Sequence, residues 1–144
     1  MDISALTGST TTSRNQSVNI LDYPDTYTVV FVQPVQQTVG VQFVWNTIAP
    51  NFTSQAAVAQ LGQPAIISYI NSLYVGQPIN VFAMQNAFQE AISSLISFDQ
   101  LSRMVVNVTI NGSSVTPTTG TGLIYGDVEG YFYTTAANVV VQQG

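Results

Sequence analysis

A chain of 144 residues and 15.5 kDa amounts to one domain, long enough to bury a sizeable core without metal or crosslink. It contains no Cys, His or Lys, which removes disulfides, thiol and imidazole nucleophiles, Schiff-base chemistry and nearly every zinc, haem or iron–sulfur site. Seven acids against Arg14 and Arg103 give a net charge of −5, so the phosphate-neutralising surface of a nucleic-acid binder cannot be assembled.

Residues 1–20, centred on the polar run ALTGSTTTSRNQSVN, read as a linker or the edge of a preceding module, and the domain proper is expected over 21–144 with order beginning near Ile20. Residues 27–33 form a short apolar run ended by Pro34. Residues 38–47 alternate, with Val39, Val41, Phe43 and Trp45 on one face and Thr38, Gly40, Gln42 and Asn46 on the other. Two strands joined across 33–37 are expected, with Pro34, which has no amide donor, in the connection or on an edge.

From Ser54 the period lengthens. Val58, Leu61, Ala65, Tyr69, Ile70 and Leu73 fall three and four apart, predicting a helix with Ser54 as N-cap. Gly62 and Pro64 predict kinked first turns or a helix that firms only at Pro64. Gly76, Gln77 and Pro78 break it, and Asn80 is placed to cap a second helix whose Met84, Phe88, Ala91, Ile92 and Leu95 share a face. So short a break packs the two helices as neighbours.

Beyond Asp99, residues 104–111 alternate with Met104, Val106, Val108 and Ile110 inward, and Asn111 with Gly112 supplies a turn. A Gly/Thr/Ser-rich excursion over 113–130 precedes a further alternating strand over 131–142, with Tyr133, Thr135, Ala137, Val139 and Val141 on one side. The order β-β-α-α-β-β predicts an α+β fold, a two-layer sandwich with two helices on one face of a mostly antiparallel four-stranded sheet.

Charged residues make up 6% of the chain, against about a quarter in a typical soluble domain, and none lies between Asp25 and Glu90. The polar coat is instead 14 Gln, 10 Asn, 13 Ser and 16 Thr. Burying such a surface requires only hydrogen-bond partners, whereas burying ions also strips their solvation, so the composition favours permanent neighbours. No apolar run exceeds four residues, and Met1 and Asp2 open neither a basic stretch nor an apolar signal core. Neither a membrane span nor a leader is expected, and the chain is expected to be made and kept in the cytosol unless exported by another route, in agreement with the missing Cys.

Candidate chemistry is sparse. Asp127 and Glu129, two apart, would lie on one side of an extended segment and could serve a glycosidase; the alternative is that Asp127 stabilises a turn beside Gly126 and Gly130. Asp22, Asp25 and Asp127 are the conceivable calcium ligands, but none sits in a calcium-loop pattern. Asn15, Asn51, Asn107 and Asn111 match the glycosylation pattern through composition alone. Glu90 and Arg103 could pair between the second helix and the third strand. Of the aromatics, Tyr131, Phe132 and Tyr133 stand out, because consecutive strand residues point both ways and must expose at least one ring. No catalytic, cofactor-binding or metal-binding residue is assigned, and an enzyme is not expected.

Three stretches, YPDTYTVVFVQPVQQTVGVQFVWNT (23–47), AIISYINSLYVGQPINVFAMQNAFQEAI (65–92) and VVNVTINGSS (105–114), together resemble the C-terminal part of phage baseplate J-like proteins, over roughly residues 15–144. These are wedge components of contractile tails and related injection machines. The resemblance implies a structural protein of the virion's tail baseplate, assembled in the host cytoplasm, whose partners are other wedge proteins and further copies of itself. It brings no catalytic residues, cofactor, nucleic acid, membrane or small-molecule substrate. Members are longer, so the resemblance implies a C-terminal fragment or a shortened relative. The residues expected at partner interfaces are Gln42, Asp127, Tyr131 and Tyr133. A secreted adhesin or carbohydrate-binding module would use the same polar coat and exposed rings.

Overall fold

The computed structural model describes the backbone of residues 16–22 and 25–31, and residues 33–48 and 54–144 in full. In chain order the elements are β1 (Gln16–Asp22), β2 (Asp25–Phe31), β3 (Gln36–Thr47), α1 (Gln55–Asn71), β4 (Ile79–Asn80), α2 (Val81–Ile92), a 3-10 turn, β5 (Leu101–Ile110), β6 (Ser113–Val115), β7 (Leu123–Ile124), β8 (Tyr131–Tyr133), a second 3-10 turn and β9 (Val139–Gln143). The main sheet runs β6-β5-β3, antiparallel throughout, and β8 and β9 then lie one after the other along the far side of β3, both parallel to it. α1 and α2 cover one face, giving the expected α+β sandwich.

The first pairing differs from expectation. β2 lies against β1, from Gln16 opposite Phe31 to Asp22 opposite Asp25, rather than against β3. A two-residue link is the shortest a hairpin allows and the least costly to close, so the local partner wins. The strand begins at Gln16, before Ile20, because the alternation of Val18 and Ile20 with Ser17 and Asn19 is diluted by polar neighbours. Residues 1–15 lie outside the described residues.

β3 supplies the centre of the core. Val39, Val41, Phe43 and Trp45 point at the helices and are buried, with Val108, Val139 and Val141 beside them. Trp45 Nε1 is enclosed without an acceptor among the described residues, a loss of about 1–3 kcal/mol that the packing of so large a ring offsets. The turn after β5 has φ of 51° at Asn111 and 83° at Gly112, the positive pair that a two-residue hairpin turn requires.

α1 is continuous through Pro64, and its buried stripe is Val58, Gly62, Ile66 and Ile70, one residue along from the expected Leu61 and Ala65. The displacement has a steric cause. A Cβ on Gly62 would stand 2.6 Å from Phe88 Cδ2, so the bare backbone lets α2 approach closely. Ser54 holds the N-cap position without a side-chain bond, whereas Asn80 Oδ1 accepts from the amides of Phe82 and Ala83 and caps α2 as expected. Met84, Phe88 and Ile92 are buried; Ile96 replaces Leu95, because the helix ends at Ile92 and its period with it.

Tyr69 ties the two helices, its hydroxyl oxygen accepting from Asn80 N at 2.8 Å. Burial raises its pKa above the ordinary 10.0, and the Asn80 amide opposes this. A raised folded pKa means that the stabilising contribution is complete below pH 10 and is lost as pH climbs through the higher folded value. Tyr69→Phe is therefore expected to lower stability at neutral pH and to flatten the alkaline decline, which urea titrations from pH 8 to 11 would show.

The expected strand over 131–142 is two. Phe132 and Thr134 point inward, the 3-10 turn at Ala136–Asn138 shifts the phase by one, and Val139 and Val141 then point inward in their turn. This C-terminal run is held from outside by amides at eight-residue intervals down α1. Asn71 Oδ1 accepts from Thr134 N at 2.9 Å, and its Nδ2 donates to Thr134 O at 3.1 Å. Gln63 Nε2 donates to Ala136 O and Val139 O, and Gln55 Oε1 accepts from Gln143 N. Side chains thus meet backbone groups that another strand would otherwise pair.

Candidate interaction surface

With both helices on the Val39, Val41, Phe43 and Trp45 side, the intervening residues of β3 face away from the core. β8 sets Tyr131 opposite Gln36, Phe132 opposite Gln37 and Tyr133 opposite Thr38. Since Phe132 is buried, Tyr131 and Tyr133 share the helix-free face with Gln36, Thr38 and Gln42. Tyr131 Oη donates to Gln36 Oε1 at 3.3 Å, and Tyr133 is 39% exposed. Gln42 lies about 13 Å further along β3 than Thr38, and its Oε1 accepts from Asn107 Nδ2 at 3.3 Å. Gly40, Thr109, Ser114, Asn138 and Val140 complete a shallow depression around it. Three of the four expected interface residues therefore sit on one neutral, amide-rich sheet face.

Asp127 does not join them there. Its Oδ1 accepts from Glu129 N at 2.9 Å, its carbonyl accepts from Gly130 N, and its own amide donates to Gln37 Oε1 at 3.1 Å. The carboxylate shapes a turn docked on β3, as the turn reading of the sequence has it. Segment 127–130 is not extended, so the geometry imagined for a carboxylate pair with Glu129 is not formed.

Among the described residues no three acids gather as metal ligands, and the side chains of Asp22 and Asp25 lie outside those residues. Glu90 Oε1 accepts from Asn86 Nδ2 rather than meeting Arg103. No described helix is long and apolar enough to cross a membrane.

A second surface escapes sequence reasoning. β4 pairs with β7, Val81 N donates to Gly122 O, and Gly76 N donates to Gly130 O, so the 113–130 excursion is seated on the connection between the helices. A Cβ on Gly76 would meet Val128 O at 2.5 Å, and one on Gly122 would meet the Phe82 ring. Where these loops meet, Tyr74, Phe82 and Val128 are 79%, 68% and 75% exposed, with Tyr125 and Val75 also open. No periodicity marks these side chains; the two glycines are their only trace in the sequence. Comparison with known protein families and with curated proteins finds no match to this chain.

Proposed function

We propose that the chain is a structural component of a contractile phage tail baseplate, a wedge protein held by neighbouring wedge proteins and by further copies of itself. The observation that carries the reading is the helix-free face of the sheet, where Tyr131, Tyr133 and Gln42 stand on a surface of neutral amides and hydroxyls. Such a face associates through hydrogen bonds and apolar contact with little ionic-strength dependence, as a particle that meets changing media requires. The exposed side chains of Tyr74, Phe82 and Val128 add open apolar surface beside it, available to protein contacts. The resemblance of residues 23–47, 65–92 and 105–114 to baseplate J-like proteins supplies the kind of assembly.

Tyr131→Ser and Tyr133→Ser, made separately, test it. Both rings lie at the surface, so folding by circular dichroism is expected to persist. Incorporation into tail particles is expected to weaken by roughly 5–30-fold for a ring at an interface centre, about 1–2 kcal/mol. Unchanged incorporation in both variants removes this face from the assembly. Glycan-array binding by the isolated chain, lost in the same variants while particles form normally, would replace the proposal with a carbohydrate-binding module.

A further inference from the structure

β5 is paired with β3 along its length, but on its other side β6 covers only Val108, Thr109 and Ile110. Pro117 explains the shortfall. Continuing the register beyond Val115 opposite Val108 would bring residue 117 opposite Val106, and proline has no amide hydrogen to give. At the far end the register shift between Asn46 and Thr47 leaves Ser102 as a bulge. Residues 103–107 thus form an open margin among the described residues, and Val105 is its midpoint.

The parity of this margin is fixed. Asn111 N donates to Thr38 O at 2.8 Å, and the two-residue turn makes Ile110 and Ser113 a hydrogen-bonded pair. Odd-numbered residues therefore turn their backbone groups toward β3, and Met104 and Val106 offer theirs outward. The stretch carries none of the usual protection of an exposed edge: it has no proline, no lysine and no bulge within it, and one arginine at its end.

We propose that this margin joins two copies of the chain, antiparallel about a two-fold axis at Val105, so that their sheets run on as one. Met104 then exchanges both hydrogen bonds with Val106 of the second copy, and Val105 meets its own counterpart as a non-hydrogen-bonded pair. Arg103, the one cation among the described residues, comes opposite Asn107. The Asn107 amide nitrogen already donates to Gln42, which leaves Oδ1 to accept from the arriving guanidinium. Moving the axis by one residue requires the bulged Ser102 or the already paired Val108. Moving it by two toward the bulge sets Arg103 against Arg103. The self-complementarity of this register is what selects a second copy as the occupant.

The chain has no cysteine, so Val105→Cys introduces a single thiol. Cα atoms in a non-hydrogen-bonded pair stand about 4.5 Å apart, within disulfide reach. Under mild oxidation V105C is expected to run almost wholly at twice the 15.5 kDa of one chain. Asn107→Cys, roughly 14 Å from its counterpart in this register, is expected to stay mostly uncrosslinked. Light scattering of the unaltered chain should give the doubled mass, and Val106→Pro, which removes an outward amide and leaves the hydrogen bonds to β3 in place at the cost of some of the packing of Val106 on the core, should return it to one chain with its circular dichroism retained. A single-chain mass at every concentration, or equal crosslinking of V105C and N107C, overturns the proposal. Tyr131 and Tyr133 are untouched in all these variants, so failure here leaves the baseplate reading standing, and failure there leaves this contact standing.

Discussion

Phe88→Ala is expected to lower the unfolding free energy by about 3–5 kcal/mol, read as a fall in urea midpoint with little change in slope. Phe88 is fully buried on α2, its ring centroid is 4.2 Å from that of Phe43 on β3, and its edge lies against α1 at Gly62. One side chain thus touches both helices and the sheet, and its removal opens a void that three separate elements would have to close. The whole stability of a domain is about 5–15 kcal/mol, so the expected loss is a large share of it. Phe88→Leu, which keeps contact with the sheet and withdraws from Gly62, should fall between the variant and the parent. A loss below about 1 kcal/mol for Phe88→Ala would mean that the layers do not meet at this ring.

Gly62→Ala should destabilise by about 1–3 kcal/mol, opposite in sign to the gain of about 1 kcal/mol that alanine brings to a helix interior. The new methyl would stand 2.6 Å from Phe88 Cδ2, nearer still to Cε2, and 3.6 Å from Ile92 Cγ2. The ring cannot retreat, because Phe43 lies behind it. The two sites are therefore coupled: in a Phe88→Ala background the same Gly62→Ala change should be neutral or stabilising. A double-mutant cycle by urea denaturation reads this directly, and additive effects would show that helix approach is not set at this glycine.

Much of the fold is legible where one physical signal acts alone. The alternation of β3 and β5, the Asn80 cap and the positive-φ turn at Asn111 and Gly112 are each dictated by a local rule, and each is found. The misreadings occur where a second effect competes. Close approach at Gly62 slides the stripe of α1 away from Leu61, and a single 3-10 turn resets the phase between Phe132 and Val139. A strand at Gln16–Asp22, whose few apolar residues are diluted by polar neighbours, hides in a polar background and takes the partner assigned to β3. For the candidate surface, the outward placement of Tyr131 and Tyr133 is legible because adjacent strand residues must diverge. The apolar loops of Tyr74 and Val128 are not, since their grouping depends on where the 113–130 excursion is seated.

The amides of Gln55, Gln63 and Asn71 have a consequence for how large any assembly can become. By engaging the backbone from Thr134 to Gln143, they make one flank of the sheet unreceptive to an incoming strand. If copies join at Val105, each molecule spends the open flank of its main sheet on the other, and among the described residues that sheet keeps no second flank to recruit a third. A protein with so few charges to keep its copies apart would then stop at pairs instead of growing into fibres, because one helix stands where the next strand would have gone.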